Sequence, residues 1–323
     1  MRLRGISMYG VLIGAVAAAC AVALFVGAAH VPVGEMASSQ IIRLRVARIL
    51  LGLVAGAGLS VAGVIFQALL RNPLADPYVL GVSSGAGLGA AVAIMAGVSV
   101  LGVWSLPAAA FIGAAASMAL VYALSRTRGG VTPMQTLLLS GVVVSAVLGS
   151  LLMFLVSIST AENMHNVVWW LLGNLQIFDS TLLAVVGAVV VAGVIVTTAM
   201  SRDLNVMTLG EEPAAHVGLN VERTKFVFLA VASLVTGAAV AACGLIGFVG
   251  LIVPHAMRII VGPDHRRLVP ASALAGAAFM VLADAFGRWV IAPCDVPVGV
   301  VTAFLGGPFF LYLLKRRGAV RVH

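Results

Sequence analysis

Residues 77–125 contain no charged side chain. A soluble domain carries about 25% charged residues, whereas one bilayer crossing needs about 20 apolar residues in a row. The window reads as two membrane helices, with Gly97, Gly102 and Pro107 marking the break between them. The rest of the chain repeats this pattern. Charge-free windows at 5–34, 49–70, 129–161, 180–201 and 296–314 each read as one span, as does 268–290, whose charges Asp284 and Arg288 stand near one end. Residues 226–262 are interrupted at Gly244, Gly247, Gly250 and Pro254 and read as two. Residues 162–178 are too short and mixed to cross; they read as an interfacial or re-entrant segment, with Trp169 and Trp170 at headgroup level. The start, MRLR and an apolar run to Ala29, resembles a signal peptide, but the run is too long for one and reads as a retained first span. With 62% hydrophobic and 9% charged residues, the 323-residue chain has no room for a soluble catalytic domain of ordinary size. The expected fold is all-α, a polytopic membrane protein forming a single transmembrane domain over 1–323 with ten transmembrane helices.

Charge fixes the expected orientation. With the amino terminus inside, ten spans put Arg43, Arg45, Arg48 and Arg288 outside and the other fifteen of 19 Lys and Arg inside. Counting 226–262 as one span would move Arg266, Arg267 and the Lys315-Arg316-Arg317 tail outside. The positive-inside bias therefore favours ten helices with both termini cytoplasmic. It also accounts for the net charge of +8 without invoking nucleic acid.

One polar interruption stands out. Residues 203–225 hold Asp203, Glu211, Glu212 and Glu222, four of the eleven acidic residues. Thr208-x-x-Glu211 has capping-box spacing. Glu211 and Glu212 suit the first turn of a helix, and Pro213 is tolerated there. Gly218 suits the left-handed position that ends a helix, followed by Leu219, and Asn220 can cap a second one. The segment reads as two short helices on the cytoplasmic side, either a solvated connector or a docking surface for a soluble partner.

Several chemistries are excluded by pattern. Neither lysine, Lys225 nor Lys315, lies in a phosphate-binding loop. The histidines His30, His165, His216, His255, His265 and His323 show no paired ligand spacing, so no metal site is expected. Cys20, Cys243 and Cys294 are scattered, and no Gly-x-Ser-x-Gly elbow occurs. Asp284 and Arg288 stand four apart near the outer end of the ninth span, either a structural pair or a means of presenting Arg288 outside. The outside Arg43, Arg45 and Arg48 either snorkel to headgroups or form a basic rim for an acidic partner. The turn Arg71-Asn72-Pro73-Leu74-Ala75-Asp76-Pro77 is either a stiff connector or a constriction of an inner mouth. Gly52-x-x-x-Gly56 and Gly81, Gly85, Gly89 read as close helix packing.

Longer runs carry a resemblance. These are Arg45-Val-Ala-Arg48; Gly63-x-x-x-Gln67-Ala-Leu-Leu-Arg-Asn72-Pro-Leu-Ala-Asp76-Pro; Gly81-Val-Ser-Ser-Gly-Ala-Gly87; Trp170-Leu-Leu-Gly173; Gly210-Glu-Glu-Pro-Ala-Ala-His-Val-Gly218; Gly244-x-x-Gly-Phe-Val-Gly-Leu-Ile-Val-Pro254-His255-x-x-Arg258; Gly262-x-Asp264-His265-Arg266; Ala283-Asp284-x-x-x-Arg288; and Pro297-x-Gly299-Val-Val-Thr302-x-x-x-Gly306-Gly-Pro308-x-Phe310. Together the chain resembles the FecCD-type permeases, membrane subunits of type II ABC importers for iron–siderophore complexes, haem and vitamin B12. Ala47 stands where that family often has Pro, and Asp295-Val296-Pro297 replaces its commoner Glu-Leu-Pro.

The resemblance implies a multi-pass permease of the bacterial inner membrane, not an enzyme, working as a homodimer or close heterodimer with the path at the dimer interface. Two ATPase subunits, which carry the ATP and Mg, would bind Gly210, Glu211, Glu212, Pro213, Ala214, Ala215, His216, Val217 and Gly218. A periplasmic binding protein would dock on Arg45, Arg48 and Arg288. Asn72, Leu74, Thr132, Gln135 and Thr136 would line the gate and path. No cofactor is expected in the chain itself. The alternative function is an ion-coupled secondary transporter, for which Asp284 is the one candidate carboxylate; a scaffold or receptor is disfavoured by the broken helices.

Overall fold

The computed structural model describes residues 2–27, 40–127, 130–176 and 179–320. Residues 28–34 of the first expected span, Gly129, residues 177–178 of the expected interfacial segment, and Arg128, His30, Arg321 and His323 lie outside them. The described residues form thirteen α-helices: α1 (Arg2–Phe25), α2 (Gln40–Leu69), α3 (Val82–Met95), α4 (Ser105–Ser125), α5 (Met134–Ile158), α6 (Ala161–Leu171), α7 (Ser180–Ala199), α8 (Ser201–Met207), α9 (Glu211–His216), α10 (Val221–Cys243), α11 (Val249–Val261), α12 (His265–Val290) and α13 (Val298–Val320). Seven are long and apolar enough to cross a membrane, and the apolar stretches of α3, α11 and α13 are shorter.

The bundle is organised around α2. Its 30 residues reach about 45 Å at 1.5 Å per residue, and from Leu51 to Leu69 it is largely buried against α7, α10, α11 and α12. Close approach to α12 depends on missing side chains, because a Cβ on Gly56 would strike the carbonyl of Gly276. In the same way Gly85 and Gly89 of α3 lie against the Gly113 and Ala109 carbonyls of α4. Among lipid tails, such contact replaces the hydrophobic drive that water supplies elsewhere. By contrast α1 is peripheral and packs mainly on α12.

α11 and α13 follow non-helical backbone, and α3 follows a single 3-10 turn at Pro77–Leu80 closed by Gly81. At 1.5 Å per residue, the 13 residues of α11 reach only about 20 Å. Backbone polar groups at such places must find partners inside the protein. The Tyr78 hydroxyl accepts from Ile246 N at 3.0 Å and donates to Ile246 O at 2.9 Å, and Asn174 N donates to Cys243 O at 2.8 Å. Asp76 accepts from Tyr78 N at 2.9 Å before α3, and Val296 N donates to Gly287 O at 3.1 Å before α13.

Two expectations are corrected. The second helix starts at Gln40 rather than 49, so Arg43, Arg45 and Arg48 lie on it; their charge does not stop a helix that another helix covers. Backbone passes through Ala47 without a break, as the absence of Pro there allows. Pro107 does not end a helix but sits in the first turn of α4, where its missing N–H leaves no vacancy.

Candidate coupling and docking sites at the two ends of the bundle

One end gathers α8, α9 and the first turns of α10 and α12. α9 has Gly210 as its N-cap and Glu211, Glu212 and Pro213 in its first turn. It ends as the spacing predicts: Gly218 has φ +86, Gly218 N donates to Ala215 O at 2.9 Å, and Leu219 N donates to Ala214 O at 3.1 Å. This paired closure satisfies carbonyls that a helix end leaves free. Asn220 accepts from Arg223 N at 3.0 Å, but the helix it caps is the long α10, which begins at Val221 rather than 226. The capping box does not form. The Thr208 hydroxyl donates to Asn205 O at 2.6 Å, because Thr208 ends α8 instead of starting α9. Of the predicted coupling residues, Glu212, Pro213, Ala215, His216, Val217 and Gly218 are exposed and Ala214 is fully buried.

Glu211 is drawn elsewhere. Lys225, in the second turn of α10, is 0% exposed. A buried ammonium is tolerated only with charge and hydrogen-bond partners, and this one has three. Its Nζ lies 3.0 Å from Glu211 Oε2, 2.5 Å from Glu222 Oε1 and 2.7 Å from the carbonyl oxygen of Thr132. Glu222 in turn accepts from Thr132 N at 3.1 Å. Thr132 is two residues before α5 and is itself buried. An i, i+3 Glu–Lys pair was legible in the sequence; the burial of its lysine was not.

Asn205 of α8 ties this end to α12. It donates to Asp264 Oδ1 at 2.8 Å and accepts from His265 N at 2.9 Å. Asp264 also caps α12 by accepting from Arg266 N at 3.1 Å. The Asn205 amide, followed by the Arg266 N–H and the nearby Arg266 and Arg267 charges, holds the Asp264 carboxyl below the usual carboxylate range.

The expected gate residues are not all together. Asn72 accepts from Leu74 N at 3.0 Å, closing a tight turn after α2. Gln135 and Thr136 are exposed at the start of α5, whereas Thr132 belongs to the lysine cluster.

At the opposite end the arginines turn inward. Arg48 reaches Asp284 and Asp295, each at 2.8 Å. Arg288 Nε lies 3.0 Å from Asp284 Oδ2, while its other nitrogens donate to Ala23 O at 3.0 Å and Val26 O at 2.8 Å. Arg45 donates to Leu24 O at 2.7 Å. The last carbonyls of α1 thus receive cationic donors, the favourable charge for a helix C-terminus. Arg45 and Arg288 are 6% and 5% exposed, so Asp284 and Arg288 form the structural pair, and neither buried arginine presents its charge on the surface of this chain. Asp295 was not singled out by spacing, since it lies on the connection between α12 and α13.

The FecCD transport family matches residues 11–316. This chain belongs to that family. The FecCD chain is 47% identical over 293 residues to the cobalamin import system permease protein BtuC of Halobacterium salinarum, covering 90% of this chain and 78% of the relative. It is 39% identical over 279 residues to the hemin transport system permease protein HmuU of Yersinia pestis, covering 85% and 83%. A solved metal-chelate type ABC transporter in an inward-facing conformation superposes with a TM-score of 0.87 at 28% identity, over 96% of this chain and 99% of that one. The FecCD chain is therefore a multi-pass membrane permease subunit of an ABC importer and not an enzyme; it works with ATPase and substrate-binding partners.

Proposed function

We propose that this permease carries an iron–siderophore complex, haem or a corrinoid from periplasm to cytoplasm across the bacterial inner membrane. Relatives named for cobalamin and hemin support this substrate class. One permease domain over 1–323 crosses ten times, with both termini cytoplasmic. The seven long helices support that count, together with the shorter apolar stretches of α3, α11 and α13, whose crossings are completed by the irregular or 3-10 backbone before each. Two copies enclose the path, and two cytoplasmic ATPase subunits supply ATP and Mg. Asn72, Leu74, Thr132, Gln135 and Thr136 form the inner gate and path.

The ATPase subunits dock on Gly210–Gly218, within a coupling region at about 203–225. The observation that carries this reading is α9 itself, a short helix closed at its C-terminus, exposed on most positions and anchored underneath by Ala214 and Glu211. The binding protein docks at the opposite end on Arg45, Arg48 and Arg288. Because Arg45 and Arg288 are held by α1 carbonyls, docking there exchanges those carbonyls for partner carboxylates.

The test is uptake in proteoliposomes containing the permease, its ATPase and its binding protein, with haemin, cyanocobalamin and a ferric siderophore as separate probes. Glu212→Lys with Ala215→Trp should remove ATP-driven uptake while the permease remains folded. Wild-type uptake by that variant defeats the docking assignment, and transport of none of the three probes defeats the substrate class.

A further inference from the structure

The Lys225 cluster joins three separate pieces of chain at one atom. An ammonium has three N–H donors, and the three oxygens around Lys225 Nζ come from α9 (Glu211), from α10 (Glu222) and from the backbone before α5 (Thr132). At 0% exposure it presents no donor to water. Thr132 is gripped twice, through its carbonyl by Lys225 and through its N–H by Glu222. Pro133, next in line, is the N-cap of α5. A displacement of α9 must therefore carry the start of α5 with it or separate a buried charge from its partners. Separation is the costly course, because the lysine is 0% exposed and has no solvent to turn to.

We propose that Lys225 is a positioning residue that transmits movement of α9 to α5. This rests on α9 being the helix on which the ATPase docks. The two carboxylates complete the relay unequally. Glu222 sits on the same helix as the lysine and fixes its direction, whereas Glu211 is the leg that reaches α9. Both carboxylates are about a third exposed, with side-chain values of 34% and 35%, so each can turn to water when Lys225→Met removes their cation.

The experiment follows α5 directly and needs no substrate. A polarity-sensitive fluorophore is placed on Leu139→Cys, an exposed α5 position, in a Cys294→Ser background that removes the exposed thiol. The full permease–ATPase complex in nanodiscs is then given ATP with orthovanadate, and ATPase binding and thermal unfolding are measured alongside. The parent should show an emission shift. Lys225→Met should bind ATPase and ATP normally, yet lose about tenfold of the shift, the scale expected for breaking a coupling contact. A full shift in Lys225→Met overturns the proposal. If Lys225→Met fails to fold, Glu211→Gln decides: a reduced shift with normal ATPase binding supports the relay, and an unchanged shift overturns it. Ala215→Trp separates the two levels. If it leaves ATPase binding intact, the docking assignment falls and the relay with it; if it removes binding while Lys225→Met keeps the full shift, the relay alone falls.

Discussion

Arg48 Nη2 lies 2.8 Å from Asp284 Oδ1, joining α2 to α12 across 236 residues of sequence. The same carboxylate holds Arg288 with its other oxygen. Asp284 is thus the acid shared by half-buried Arg48, which also reaches Asp295, and buried Arg288. Asp284→Asn keeps the shape and removes the charge, leaving Arg288 with carbonyls alone. The expected cost is about 3–5 kcal/mol, the usual penalty for breaking a buried pair from one side. Thermal unfolding in detergent measures it, and an unchanged unfolding temperature contradicts it. In an ion-coupled carrier the same change would leave the fold intact and stop transport, so the two readings separate on stability.

The α2–α12 contact yields a second prediction. Gly56→Ala places a methyl group against the Gly276 carbonyl, and overpacking of this kind costs about 1–3 kcal/mol. Gly14→Ala on α1 is the control, since nothing lies within 4 Å of a Cβ there; it should stabilise by roughly 1 kcal/mol through helix propensity. Equal effects at the two sites would mean that α2 and α12 are not in contact.

Tyr78→Phe tests the non-helical backbone before α11. The phenol oxygen is the partner of both Ile246 N and Ile246 O. Removing it strands both, at about 1–3 kcal/mol for each unsatisfied buried group. Hydrogen exchange across residues 244–248 should accelerate while exchange in α2 is unchanged. Uniform acceleration throughout the protein would refute a local role.

Asp264 gives a pH dependence with a definite sign. Its folded-state pKa is depressed, first by the Asn205 amide. The group therefore adds stability above its unfolded pKa of about 3.9, and that contribution is lost as pH falls through the lower folded value. Asp264→Asn should melt below wild type near neutral pH, with the gap closing under pH 4. Asn205→Ala should bring the closure to higher pH. The difference is small because the carboxylate is largely solvated and its charges are screened. A gap that widens on acidification would reverse the assignment.

The expected helices were legible where apolar windows coincide with real ends, as at α7 and α12. The closure of α9 by Gly218, Leu219 and Asn220 was equally legible, because capping depends on residues adjacent in sequence. What escaped was set by distant chain. Arg43, Arg45 and Arg48 looked like a helix end because charge is costly in lipid, and the carbonyls of α1 and the carboxylates of Asp284 and Asp295 that make two of them tolerable lie far away in sequence. The burial of Lys225 escaped for the same reason: the Thr132 carbonyl that helps bury it is 93 residues earlier. Thr208 failed as a cap because α8, which it ends, was not anticipated.

The attachment of α1 bears on how the protein is made. Ala23 O receives its hydrogen bond from Arg288, 265 residues later, and α1 packs mainly on α12. The helix that leaves the ribosome early thus finds its lasting neighbour only when most of the chain has been synthesised. Until then its contacts are those with α2, among them the Arg45 bond to Leu24 O. A chain halted before α12 leaves the α12-facing side of α1 uncovered, and the Arg288 bonds to Ala23 and Val26 form only once that later helix exists.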